Sequence, residues 1–129
     1  MESPAATLTR TPIRSYEDLD AFKRAMALVR PVHDLARKMP DYEKYDLAQQ
    51  VRRASKSVPA NIAEGYGKRR SIRQFRVYLE HAVGSANEMV VHLQLAQELS
   101  YASEDVLSDL IEQYRVVGRL LVRLAERWH

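Results

Sequence analysis

From Tyr16 to Trp128, apolar residues recur at spacings of three, four and seven, with no sustained alternation of the kind a strand requires. The pattern predicts four helices. The first covers about Tyr16 to Met39. Ser15 with Asp18 three residues on makes a capping box, and Leu19, Phe22, Met26, Val29 and Ala36 mark its apolar stripe. Pro31 predicts a kink or one lost hydrogen bond, because proline has no N–H to donate. The second starts between Tyr42 and Asp46 and runs to Glu64, with Leu47, Val51, Ala54, Val58 and Ile62 on one face. Pro59 lies inside it and displaces the carbonyl of Ser55. Gly65 and Gly67 are expected to end it, since glycine accepts the left-handed conformation that closes helices.

The third helix is the longest, about Ser71 to Leu99, or roughly 40 Å at 1.5 Å per residue. Ser71 and Gln74 have capping-box spacing. Phe75, Tyr78, Leu79, Ala82, Ala86, Met89, Leu93 and Ala96 form its core face. The fourth runs from about Glu104 to Trp128, capped by Ser103, with Glu104 and Asp105 complementing the positive N-terminal dipole. Val106, Leu110, Val117, Leu121, Leu124 and Trp128 line one face. Four amphipathic helices with short connections predict an all-α fold, an antiparallel up-and-down four-helix bundle over residues 15–129. A three-helix domain with a loose fourth helix is the structural alternative. Residues 1–14, mixed Ser, Thr, Pro and Ala, are expected to be a disordered leader.

Composition changes this picture mainly by exclusion. The chain has 129 residues, which suits one domain with a sizeable core. It has no cysteine, which excludes disulfides, a cysteine nucleophile and a cysteine-ligated zinc. The first residues lack the apolar stretch of a secretory signal, and no apolar run approaches the length of a membrane span. A cytoplasmic protein is expected. Net charge is only +3, but it is unevenly spread. Residues 1–51 carry eight basic and eight acidic side chains, and residues 77–129 carry four basic and eight acidic. The stretch Arg52 to Arg76 holds eight basic residues against one acid.

The run Gln50-Val51-Arg52-Arg53-Ala54-Ser55-Lys56-Ser57-Val58-Pro59-Ala60-Asn61-Ile62-Ala63-Glu64-Gly65 is distinctive. It resembles the signature of the 23S rRNA intervening-sequence protein family, also called the four-helix-bundle protein family. Tyr16-Glu17-Asp18-Leu19 with Phe22 and Ala25 resembles the family's opening. Phe75, Tyr78-Leu79 and Gly84-Ser85-Ala86-Asn87-Glu88 resemble its third helix, and the stretch from Leu93 to Tyr101 also fits. The resemblance covers about Tyr16 to Trp128, and the string Pro59, Asn61, Glu64, Gly65 is its most specific part. It implies an antiparallel four-helix bundle that assembles as a homopentamer. The family takes its name from members encoded inside 23S rRNA genes, which implies an association with RNA, but no established biochemical activity comes with it. A related set of helical proteins accompanies diversity-generating retroelements and binds nucleic acid.

The basic segment supplies the candidate nucleic-acid site: Arg52, Arg53, Lys56, Lys68, Arg69, Arg70, Arg73 and Arg76. Guanidinium and ammonium groups neutralise phosphates and release counterions, and helix N-termini add N–H donors. The same residues also suit a solvated charged face or ion pairs to a neighbouring subunit. Arg115, Arg119, Arg123 and Arg127 recur every four residues near Asp109, Glu112 and Glu126, which reads as intrahelical ion pairing. A candidate oligomer interface comes from Val77, Gly84, Val91 and Leu95, a second stripe roughly opposite the core face of the third helix. A lone bundle has no use for apolar residues on two sides, and a mid-helix glycine costs about 1 kcal/mol relative to alanine. Asn61 lies toward the apolar side of the second helix, where it serves either to satisfy a backbone group freed by Pro59 or as part of a small polar site.

Catalytic chemistry has little support. His81 and His92 are about three turns apart, too far for one metal. Glu88 and His92 are spaced by four, where di-iron bundles use a duplicated spacing of three. No phosphate loop, zinc-protease motif or serine elbow occurs. The expectation is therefore a protein that is not an enzyme, with no catalytic residues, metal or cofactor. It assembles with itself, stays off membranes and binds RNA or DNA nonspecifically; the alternative is a structural or protein-interaction module without nucleic acid.

Overall fold

The computed structural model describes residues 12–128. The leader expected at residues 1–14 therefore lies mostly outside the described residues. Within them the fold is all-α, with four long helices and no strand: α1 (Asp20–Lys38), α2 (Leu47–Gly67), α3 (Ile72–Glu98) and α4 (Glu104–Arg127). Two 3₁₀ turns, Tyr16–Asp18 and Asp41–Glu43, precede α1 and α2. Each helix packs on the next, and α4 returns to α1, while the backbones of the diagonal pairs α1–α3 and α2–α4 stay farther apart. The α1–α4 seam is the least packed of the four.

Apolar burial holds this ring of helices together. Val32, Val51, Ile62, Phe75, Leu79, Met89, Leu93, Leu107, Tyr114, Val117 and Leu121 are all but inaccessible. Fully burying an aliphatic or phenylalanine side chain contributes about 1.5–3 kcal/mol. The predicted faces of α2 and α3 are the buried ones, Tyr78 being half-buried. On α1 the stripe is displaced. Ala21, Ala25, Leu28, Val32, Leu35 and Ala36 are buried, whereas Met26 is half exposed and Phe22 packs edge-on against Tyr16. On α4, Leu107, Ile111 and Tyr114 join the core and Val106 is exposed.

The ends follow local chemistry, with three corrections. Ser15 and Asp18 form their capping box, but around the 3₁₀ turn; α1 starts at Asp20, with Leu19 at its N-cap and no side-chain cap. The Ser71 hydroxyl accepts the Gln74 N–H at 3.2 Å, without a return bond from the Gln74 side chain. α2 runs through Gly65 and ends at Gly67, but neither glycine has positive φ, so the expected left-handed glycine does not close it. The left-handed residue is Ser100, after α3, where the N–H of Tyr101 bonds the Ala96 carbonyl at 2.9 Å. Pro31 and Pro59 sit inside continuous helices.

Gly65 has a different task. It is buried where α2 crosses α3, and a Cβ built on it would lie 2.8 Å from Tyr78 Cβ and 3.3 Å from the Phe75 carbonyl oxygen. Backbone and Cβ atoms cannot rotate aside, so a methyl group there pushes the helices apart. Gly65→Ala is expected to destabilise the fold by about 1–3 kcal/mol, the usual cost of overpacking. Gly118→Ala, which meets nothing within 4 Å, should be neutral or stabilising by up to about 1 kcal/mol. Urea denaturation of the two variants checks the contrast; equal stabilities refute it.

The Tyr114 hydroxyl is buried with no hydrogen-bond partner among the described residues, and burial alone pushes its pKa up. An unpartnered buried hydroxyl is a desolvation cost of about 1–3 kcal/mol. Tyr114→Phe should therefore raise stability by about 1 kcal/mol, seen as a higher thermal midpoint; a clear drop would mean that the hydroxyl is satisfied.

Candidate nucleic-acid interface

The α2–α3 connection is four residues long, and three of its four backbone N–H groups are hydrogen-bonded. Lys68 N donates to the Gly65 carbonyl at 2.9 Å, Arg69 N to Tyr66 at 3.2 Å and Ser71 N to Lys68 at 3.1 Å. This tight link holds Lys68, Arg69 and Arg70 at one end of the molecule, with Arg73 and Arg76 on the first turns of α3. An aromatic cluster braces it. Trp128, at the end of α4, meets Phe75 edge-on at 4.9 Å and Tyr66 at 6.0 Å.

Several of the eight basic side chains are engaged by the chain itself. The Arg69 guanidinium lies 4.1 Å from the Tyr66 ring centroid and donates to the Tyr66 carbonyl at 3.0 Å. Lys68 pairs with Glu64 at 3.5 Å, an exposed contact worth about 0–1 kcal/mol. Arg76 donates to the carbonyls of Ala125 at 2.9 Å and Trp128 at 3.4 Å, filling acceptors that a helix C-terminus leaves open. Arg52 donates to the Lys44 carbonyl at 3.1 Å. Arg53, Lys56, Arg70 and Arg73 are exposed and have no polar partner among the described residues.

The run of eight is not one patch. Lys56 lies twelve residues before Lys68, about 18 Å along the α2 axis. Arg52, Arg53 and Lys56 thus form a separate group on the body of α2. The cluster at the end instead gains residues the sequence reading left out: Lys23 on α1 with Arg123 and Arg127 on α4. These line a pocket of about 460 Å³ with Asp18, Asp20, Leu19, Leu124 and Trp128. The helix order was the available signal, since the end of the fourth helix returns beside the starts of the first and third. The predicted ion pairs of α4 reduce to one among the described residues, Arg119 to Glu112 at 3.0 Å, spaced by seven.

The other end is acidic and tied differently. Glu43 is buried; its carboxylate accepts the Leu47 N–H at 3.0 Å and the Tyr101 hydroxyl at 2.6 Å. That bond, with the Tyr42 hydroxyl beside it, raises the Tyr101 pKa. It links the α1–α2 and α3–α4 connections, around which Asp41, Asp46, Glu98, Glu104 and Asp105 gather.

The second stripe of α3 faces outward in the single chain. Val77 is 40% exposed, Val91 52% and Leu95 43%, and a Cβ at Gly84 would meet nothing within 4 Å. Asn61 donates to the Ser57 carbonyl at 2.9 Å and to its hydroxyl at 3.0 Å, not to Ser55. Ser57 in turn meets the Ser85 hydroxyl at 2.8 Å, making a polar bridge from α2 to α3. Pro59 is buried, and Glu64 is exposed beside Lys68. His92 bonds Glu88 at 3.1 Å, with its Nδ1 buried and unpartnered. Among the described residues no group of three or more potential ligands lies close enough to hold a metal ion, and no helix is long and apolar enough to cross a membrane.

The model of the 23S rRNA-intervening sequence protein family matches residues 17–123. The chain belongs to this family. As a 23S rRNA-intervening sequence protein it has α1, α2, α3 and most of α4 inside the match, including the basic α2–α3 connection; Arg127 and Trp128 lie just beyond it. No curated protein matches the chain.

Asp18 gives this end of the family fold a pH signature. Its Oδ2 accepts the backbone N–H groups of Arg14 at 2.8 Å and Ser15 at 3.1 Å, which lowers its pKa below the ordinary 3.8. A depressed carboxylate stabilises the fold above the unfolded pKa, and that contribution is lost as pH falls through the folded value. An NMR titration should place the Asp18 midpoint below 3.8, and Asp18→Asn should remove this part of the acid sensitivity. A midpoint at or above the ordinary value refutes the capping account.

Proposed function

We propose that this chain is an antiparallel up-and-down bundle that assembles with itself in the cytoplasm, as a pentamer by family likeness. In this reading it binds the phosphates of RNA or DNA nonspecifically and carries out no catalysis. The observation that carries the reading is the gathering of Lys68, Arg69, Arg70, Arg73, Lys23, Arg123 and Arg127 at one end, opposite an acidic end. Arg70 and Arg73 have no partner in the chain among the described residues, so their charge is free for a polyanion. The contact order supports antiparallel neighbours: Gly65 meets Tyr78 while Ser57 meets Ser85, and Arg76 meets Ala125 while Gln97 meets Glu104. The exposed Val77, Gly84, Val91 and Leu95 supply a side surface for self-association, which would repeat the basic end and raise avidity for a strand.

A second reading is a structural or protein-interaction module without nucleic acid. It is favoured by the engagement of Arg52, Lys68, Arg69 and Arg76 within the chain.

Retention of RNA as a function of salt separates the two. The first reading expects binding that weakens steeply with salt, and Arg70→Glu with Arg73→Glu should cut affinity at least tenfold and reduce the log–log salt slope by about two. Binding indifferent to salt and to these changes favours the second reading. Val91→Glu with Leu95→Glu should lower the mass measured in solution, and a wild-type chain that is monomeric at high concentration sinks the assembly.

A further inference from the structure

The least-packed seam, between α1 and α4, opens at the basic end into the pocket of about 460 Å³. That volume is within the range of small-molecule sites, roughly 300–1,000 Å³. Its walls divide by chemistry. Trp128, half-buried and braced by Phe75 and Tyr66, supplies an aromatic surface backed by Leu124. Lys23, Arg123 and Arg127 stand around it, and none has an ion pair among the described residues. Asp18 and Asp20 complete the rim, and Asp18 is held ionised by the two backbone N–H groups on its Oδ2. A purely anionic ligand has no use for those carboxylates, and a purely apolar one has no use for the cations.

We propose that this pocket binds a nucleotide. The base stacks on Trp128, the phosphate lies between Lys23, Arg123 and Arg127, and Asp18 or Asp20 accepts N–H or O–H groups of the base or sugar. Aromatic stacking tolerates every base, because each has a π face, so the site selects the chemical class and not the sequence. The site shares Lys23, Arg123 and Arg127 with the phosphate-binding end and to that extent rests on that reading, whereas Trp128, Asp18 and Asp20 belong to the pocket alone; its ligand is a nucleotide, free or within a strand.

Trp128 is the single tryptophan of the chain, so its fluorescence reports on this pocket directly. Titration with a nucleoside monophosphate should give a saturable quench. Ribose 5-phosphate, which has no base, and the nucleoside, which has no phosphate, should each bind at least about tenfold more weakly, the loss of one good contact. Arg123→Ala and Arg127→Ala, both exposed and compatible with folding, should each weaken the monophosphate about tenfold. A short single-stranded oligonucleotide that binds more tightly than the monophosphate identifies a strand as the source; equal affinity identifies a free nucleotide. The quench should survive Arg70→Glu with Arg73→Glu, so loss of RNA retention in that variant is read separately from the pocket. The inference is overturned by the absence of a saturable quench up to about 10 mM, by equal quenching from ribose 5-phosphate, or by unchanged affinity in both arginine variants.

Discussion

The close approach of α2 to α3 at Gly65 governs the end of the molecule where its chemistry gathers. With no Cβ at that position, Tyr78 and the Phe75 carbonyl come within a distance that any other side chain would occupy. Phe75 is thereby set against Tyr66 and Trp128, and Trp128 draws the end of α4 into the same cluster. Arg76 then reaches the last carbonyls of α4, and Arg69 lies on Tyr66. The missing methyl group is therefore upstream of both the basic end and the aromatic wall of the pocket. Overpacking is costly because protein interiors are as dense as organic crystals and helices cannot absorb the extra volume locally.

Much of the fold was legible in the sequence where a helix has one apolar face. On α2, Leu47, Val51, Ala54, Val58 and Ile62 have no competitor, and the structure buries them all. On α1 two stripes compete. The larger residues Phe22, Met26 and Val29 suggested one face, but the helix buries Ala21, Ala25, Leu28 and Val32. Small alanines carry little hydrophobic weight, yet they let neighbouring helices come close. Glycine misled for a related reason. Gly65 and Gly67 look like a helix stop in one dimension, while the close crossing that explains Gly65 exists only in three. The left-handed stop falls instead on Ser100, which carries no glycine signal at all.

The candidate site was half legible. The density of positive charge from Arg52 to Arg76 was plain. Its division was not. A helix rises 1.5 Å per residue, so residues adjacent in a charge run can stand far apart in space. Arg52, Arg53 and Lys56 drop away along α2, while Lys23, Arg123 and Arg127, distant in sequence, arrive at the end. No spacing rule within one helix brings α1 and α4 to the α2–α3 connection; only the ring of helix contacts does.

The two unusual surfaces lie at right angles, and that geometry constrains how they can work together. Charge is unevenly spread along the long axis, with a basic excess at one end and an acidic excess at the other. The stripe of Val77, Gly84, Val91 and Leu95 runs along the side of α3. Copies joined side by side around a rotation axis parallel to their helices keep their basic ends on one face, leaving the stripe to be covered and the ends open. Copies joined end to end bury opposite charges against each other and leave the stripe wet. Burial of apolar area favours association over a wide range of salt, whereas attraction between exposed charges fades as the Debye length shrinks to about 8 Å at physiological ionic strength. The side-by-side arrangement is thus the one whose adhesive persists under cellular conditions. It is also the one that would concentrate the basic side chains on a single surface.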